Sequence, residues 1–476
     1  MNPAGGRGSV VRVVAAGAPA GMAGSLVFAA AGGVGVLPTV ASLLRAGPSR
    51  AGLLAHLAVF AVVGAGFGLL VRRLRCGAAE LLFLGVAYDA LWWWLGPLTL
   101  LPLALGRPPA WDLASAQRAF PSLVGHLLCG AATAVVFVVL AGRPDQPGGE
   151  GRGLDAGALL RGALAGGLAA LLLRAALDGR SLALPLGPLL GVAQSLLSPR
   201  PLRGAGAAVV RGQAYGFVAW LVGGLTVLPL LGDGTLRWSV PEARAGFGGL
   251  PAYLLLGVLV ALVRGWLDGL APLLSSEHLR AYPGATAGSG VLAAALRGAT
   301  AGLLGGAVIA QLMLHGSVPA VAERLTGSNG LLAGLVINLG IGVAIGVSYG
   351  LLFRRLGQDV SCALGWGMAY GLLWWILGPL TLLPALLGGE PMWTAAAAAG
   401  AVAALAGHLV YGACLGVVFH LLEAPFGVPW LARTRGEALR ARRRRDELLT
   451  SSLALSALLV AMLMTVLVVV TGASGA

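Results

Sequence analysis

Long apolar stretches separated by short polar ones run the length of this chain. Taking about 18 apolar residues as a membrane span, the pattern predicts helices over 10–31, 53–71, 78–95, 121–141, 158–177, 182–197, 206–224, 249–267, 291–314, 331–353, 361–378, 401–422 and 448–471. The reading is thus about 13 spans. The weakest is 182–197, which is short and holds Pro185 and Pro188. Composition agrees, with 58% hydrophobic and 11% charged residues, where a soluble domain carries about a quarter charged. The expected class is an all-α polytopic membrane protein.

One pattern recurs along the span map. Residues 88–102 read YDALWWWLGPLTLLP, 215–229 read YGFVAWLVGGLTVLP, and 370–384 read YGLLWWILGPLTLLP. The shared frame, Y-x-x-x-x-W-x-x-G-x-L-T-x-L-P, is too long to appear three times by chance. Its register continues without gaps. Trp111, Trp238 and Trp393 follow each closing proline at the same distance, and His126, Tyr253 and His408 come later at one spacing. Arg73, Arg200 and Arg355 precede the frame tyrosines, and Arg12, Arg161 and Arg297 open each unit with R-x-x-x-x-G.

The chain therefore divides into units 1–142, 158–270 (the most divergent) and 292–424, followed by a basic segment and last helix in 432–476. Four spans per unit make the repeats parallel, related by an axis along the membrane normal. A pseudo-threefold ring is the expected closed arrangement, with an open arc as the alternative. Because Arg12 matches Arg161 and Arg297, the first span is expected to be retained rather than cleaved as a signal.

The net charge of +14 comes from 32 arginines and no lysine, a bias that fits a GC-rich genome. With the N-terminus inside, 23 arginines fall on the cytoplasmic side, eight outside, and Arg174 within a span. This positive-inside pattern orients the chain in a bacterial-type inner membrane, C-terminus outward. It argues against a nucleic-acid partner. The cluster from Arg433 to Arg445 can hold anionic lipid headgroups at about 1 kcal/mol per arginine, or simply orient the last helix. Cys76, Cys129, Cys362 and Cys414 form no CxxC pair, so neither a disulfide framework nor a zinc site is expected.

Proline removes a backbone donor, so 96–102, 223–229 and 378–384 are expected to be broken or unwound, a form that lines transporter sites in some folds. Thr99, Thr226 and Thr381 lie in these breaks, either lining a path or bonding a freed carbonyl. The frame tyrosines Tyr88, Tyr215 and Tyr370 are further candidates for the path. Tryptophans at the frame and in the following loops read as an interfacial aromatic belt. His126 and His408 lie at the same depth in the fourth span of their units, where Tyr253 stands in the second. Bonding across to a neighbouring helix, for example through Asn338, is the simpler account of these histidines. His56 and His126 on facing helices could instead ligate a haem iron or a metal. Asp89 lies mid-span where the other units have Gly216 and Gly371. A carboxylate there must pair, take a proton or face water, which makes it a candidate coupling residue, or a lock between units. Glu80 is expected to pair on the arginine-rich side. Gly342, Gly346 and Gly350 are a helix-packing signal.

The leading functional expectation is a transporter or channel for a small solute or lipid, with a path among the three units. A structural or accessory subunit of a membrane complex is the second. A haem-carrying redox protein or lipid-processing enzyme is the third, although no nucleophile–base pair, carboxylate pair or phosphate-binding loop is present in the sequence pattern. No cofactor is expected from the motifs.

Overall fold

The structure is a computed structural model that describes residues 3–30, 50–74, 76–141, 155–177, 184–198, 204–274, 287–313, 327, 331–354, 356–423 and 435–473. Among these residues there are helices and no strands. The long helices of the first unit are α1 (Pro3–Ala30), α2 (Arg50–Val71), α3 (Ala78–Leu95) and α4 (Phe120–Ala141). The second unit has α5 (Ala156–Ala176), α6 (Leu186–Leu197), α7 (Ala205–Ala219) and α8 (Gly249–Leu274). The third has α9 (Ala287–Met313), α10 (Leu331–Phe353), α11 (Val360–Leu377) and α12 (Val402–Glu423), and α13 (Arg435–Val470) closes the chain.

Among the described residues, twelve helices are long and apolar enough to cross a membrane. The other, α6, has 12 residues, about 18 Å of helix against a hydrocarbon core of about 30 Å. The protein is therefore multi-pass, and the segment that looked weakest in the sequence is the short one.

Each unit packs in the same way: its first helix lies on its second and fourth, and its third lies on its fourth. Lipid offers these helices no hydrophobic gain for associating, so close backbone approach has to supply the contact. Glycines provide it. A Cβ on Gly85 would strike the backbone of Gly130 across α3 and α4, and one on Gly346 would strike Gly298 across α9 and α10. Gly342, Gly346 and Gly350 are thus packing residues, as their spacing implied.

Through the proline-bearing frames the helices are not unwound. Each continues as a wider π-turn, over Gly96–Leu100, Trp220–Val227 and Gly378–Leu382, and then as one α-helical turn. The expected breaks are corrected on this point. Widening the turn moves the carbonyl that has lost its donor into reach of a side chain, so the chain keeps a helical course. The second unit has Gly223–Gly224 where the others have Gly-Pro, yet it forms the longest of the three π-turns. The frame proline is therefore not the whole cause.

The last helix fills the space among the units. α13 packs on α3, α7 and α11, the third helix of each unit, and on the short outer helices Leu113–Arg118, Val240–Ala245 and Ala395–Gly400. Ala454, Leu458, Val469 and Val470 are at most 1% exposed. Among the described residues of its apolar part, 448–470, the exposed ones are Leu453, Val460 and Leu467, a stripe two turns apart. Both ends of its apolar span, Arg445–Val470, are clamped. At the first, Ser451 donates to Glu80 (2.7 Å) and Arg211 donates to Ser451 (2.6 Å), while Arg211 also pairs directly with Glu80. At the other, Gln117 donates to the carbonyls of Val468 and Thr471, and Arg244 to those of Val469 and Thr471. Gln117 and Arg244 occupy the same place in the repeat register, and Ala399 stands there in the third unit. A cation at a helix C-terminus satisfies orphan carbonyls and opposes the helix dipole.

Removing that cap has a measurable cost. Arg244→Ala is expected to destabilise the protein by about 1–2 kcal/mol, on the scale of a hydrogen bond to a charged group. Gln117→Ala is expected to cost less. Thermal unfolding in mild detergent checks both, and equal effects would contradict the role given to the charge.

Candidate functional site

The three frame threonines make one constellation three times. Thr99 donates to the carbonyl of Trp94 (2.8 Å), Thr226 to Leu221 (2.9 Å) and Thr381 to Ile376 (2.7 Å), each five residues back. Each hydroxyl then accepts an indole N–H from the outer loop: Trp111 (3.0 Å), Trp238 (3.1 Å) and Trp393 (2.9 Å). A backbone bond to Leu98, Leu225 or Leu380 fastens each loop over its π-turn. The hydroxyls thus serve carbonyls freed in the widened turn, one of the two roles expected of them.

The frame tyrosines tie the third helix to the second within each unit. Tyr88 donates to the carbonyl of Val63 (3.1 Å), Tyr215 meets Ser198 Oγ (2.8 Å), and Tyr370 meets Ser348 Oγ (2.7 Å). The tryptophans divide. Trp94 and Trp111 are exposed and stacked, as an interfacial belt requires. Trp93, Trp220 and Trp375 are at most 2% exposed, which corrects the belt reading for them. Trp93 and Trp375 use their indole N–H on the carbonyls of Ala119 and Ala401.

The densest set of buried polar groups predicted from the sequence lies inside the first unit. Asp89 is 1% exposed and contacts Cys129, and its Oδ2 receives no hydrogen bond. Thr133, 4% exposed and one turn beyond Cys129, also leaves its hydroxyl without a partner. Gly24 of α1 admits both: a Cβ there would lie 2.5 Å from Thr133 Oγ1 and 2.8 Å from Cys129 Sγ. Asp89 therefore faces the interior of its own unit. The closeness of α3 and α4 at Gly130, where a Cβ would come within 2.9 Å of Asp89 Cβ, fixes its backbone.

His56 and His126 come together around two phenylalanines. Phe28 stacks on His56 with centroids 4.9 Å apart and meets His126 edge-on at 5.3 Å; Phe60 touches both at 4.5 and 5.7 Å. His56 Nδ1 bonds Ser25 Oγ at 2.6 Å, and His126 Nδ1 bonds the Ser122 carbonyl at 2.7 Å. The phenyl rings fill the volume the two imidazoles share, so these residues do not fit a haem between them. Among the described residues no group of three or more His, Cys, Asp or Glu is placed to hold a metal ion.

His408 behaves like His126, its Nδ1 bonding the carbonyl of Ala404 at 2.7 Å. Asn338 does not bridge to it; its amide donates to Gly306 across α9 and α10. A carbonyl only accepts, so Nδ1 is the donating nitrogen in both imidazoles. Tyr253 occupies the matching place in the second unit and lines an outer cleft of about 390 Å³ with Trp220, Gly224, Asp233 and Arg237. Of the basic segment, Arg433 lies outside the described residues, as do Arg200 and Arg355, while Arg442 and Arg445 are exposed.

The polar network in the second unit had no signal in the frame. Glu80 pairs with Arg211 as the arginine-rich side suggested. Beyond it, Tyr215, Ser198, Arg264, Asp268, Arg161 and Gln194 link α5, α6, α7 and α8. None of these except Tyr215 and Arg161 recurs in the register, so only three dimensions assemble them. Comparison with protein-family models, with curated proteins and with solved structures gives no match for this chain.

The threonine constellation carries a stability prediction. Thr226→Val removes a carbonyl's donor and the acceptor of the buried Trp238 together, for an expected loss of about 1–3 kcal/mol. Trp238→Phe should lose less, because the threonine–carbonyl bond survives. Chemical denaturation in detergent compares the two, and a neutral Thr226→Val would count against the assignment.

Proposed function

We propose that this multi-pass protein is a transport protein built from three parallel four-helix repeats around α13, with its path inside the first repeat. This moves the path away from the centre among the repeats, where α13 lies. The observation that carries the reading is Asp89. A carboxylate 1% exposed, with one oxygen unbonded, needs a proton or a cation at that oxygen. Such a group is costly in hydrocarbon and is kept where protons or ions move. His56 and His126, set deeper toward the tryptophan-bearing side of the same unit, are polar stepping points toward that face. Orientation follows the arginines, with the N-terminus cytoplasmic, the tryptophan loops outside and an inner membrane as the host. Anionic lipid at Arg433–Arg445 is part of the same reading.

A second reading is an accessory subunit of a membrane complex. The stripe Leu453, Val460 and Leu467 favours it, since these residues leave one line of α13 open for a partner helix. Copurification of a stoichiometric partner in mild detergent, lost in Val460→Arg, would support that reading.

Flux separates the two. In vesicles holding a pH-sensitive dye, an imposed potential should drive proton uptake through the wild type. Asp89→Asn should lower uptake at least about tenfold, toward the protein-free rate, while the thermal unfolding temperature stays close to wild type. Equal flux in both proteins, or none above empty vesicles in the wild type, would sink the transport reading.

A further inference from the structure

We propose that the second unit holds a binding site for a small inorganic anion at Arg264, separate from Asp89 and independent of the proton path. Arg264 lies on α8 and is 2% exposed. A guanidinium carries five N–H donors. The protein takes up one of them in a hydrogen bond, from Nη2 to the Ser198 carbonyl at the end of α6 (2.7 Å). Nη1 has no acceptor, and Nε makes only a 3.6 Å ion contact with Asp268.

Asp268 cannot fully balance it, because the same carboxylate bonds Arg161 at 2.9 Å. Arg161 is about a third exposed and shares its charge with water and Asp155, whereas Arg264 has no such outlet. The next carboxylate in the network, Glu80, is committed to Arg211 and Ser451. Among the described residues, three guanidiniums (Arg161, Arg211, Arg264) face three carboxylates (Asp155, Glu80, Asp268), but Asp155 reaches only Arg161, at 3.8 Å, and is itself exposed. The least closely paired guanidinium, Arg264, is also the most buried of the three. Buried charge is tolerated when it is paired and hydrogen-bonded, and an anion on Nη1 would do both.

The surroundings suit a small acceptor. Tyr215 and Ser198 meet beside the guanidinium. Gln194, one turn before Ser198 on α6 and 1% exposed, spends its amide N–H on the Gly257 carbonyl (3.3 Å), so it adds no free donor and the guanidinium is the cationic donor of the site. Gly257 and Arg264 are two turns apart on α8, so Gln194 and Ser198 face them along one seam. The end of α6 supplies the one carbonyl that the guanidinium already uses. Burial of Arg264 favours a free chloride, sulfate or phosphate over the same charge carried on a lipid headgroup.

Thermal unfolding of the purified full chain in uncharged detergent tests this. Chloride, sulfate and phosphate are titrated separately against gluconate at matched ionic strength. A saturable rise of several degrees in Tm with at least one small anion is expected. Arg264→Gln should abolish it, Arg264→Lys should weaken it, and Arg118→Gln on the outer face should leave it unchanged. If Arg264→Gln does not fold, Arg264→Lys carries the test, and its apparent Kd for the anion should be weaker than that of the wild type. No anion-specific rise would mean that water satisfies Arg264, and would overturn the proposal. An equal rise in Arg264→Gln would place binding elsewhere and also overturn it. Stabilisation in nanodiscs only when anionic lipid is included, with none from soluble ions, would assign the charge to a headgroup and reject the free anion.

Discussion

The packing of α13 against the third helix of each unit is the contact on which the rest of the structure depends. Within a unit, glycine seams hold pairs of helices together at backbone distance. Between units α3, α7 and α11 share α13 as a partner, and Gly206 adds one close approach of α7 to Leu352 and Phe353 of α10. That partner has few polar atoms of its own to satisfy along the middle of its apolar span, Arg445–Val470, so the specific bonds gather toward the ends of that span. Glu80, Arg211 and Ser451 meet at one end, and Gln117 and Arg244 reach the last carbonyls at the other. Registry of a smooth apolar helix is thereby set by two polar clamps, a use of buried charge that fits its cost.

The same economy governs the tryptophan-bearing face. Each π-turn displaces a carbonyl from the helix ladder, a threonine recovers it, and a loop tryptophan bonds the threonine. Residues that look like a lined path in one dimension are, in three, the fastening of a loop onto a helix. What is left for chemistry is the small set of groups that the repeats do not share. Asp89 with Thr133 in the first unit and Arg264 with Gln194 in the second have unmade bonds, and neither pair recurs in the third.

Much of the fold was legible along the chain. The span 331–353 coincides with α10, and 78–95 with α3, because an apolar run bounded by polar turns has one reading in a bilayer. The frame also located the π-turns, although not their form: Gly-Pro signals a disturbed ladder and does not say whether it opens or widens. The seat of α13 was hidden for a physical reason. A helix facing lipid and one facing other apolar helices need the same residues, so composition cannot tell a peripheral span from a central one. Asp89 and the His56–His126 pair were visible as polar residues in apolar runs. The charge balance at Arg264 was not, since its partners come from three helices with unrelated spacings.

The central position of α13 is tested most directly by cross-linking from two adjacent residues to two different units. In full-length protein with the other native cysteines replaced, Ser451→Cys is combined with Glu80→Cys, and separately Ser452→Cys with native Cys362. Oxidation in isolated membranes should give an intramolecular disulfide in both pairs, joining α13 to the first unit through 451 and to the third through 452. Cross-linking in only one pair, or in neither, would place α13 at the edge of the bundle and contradict this account.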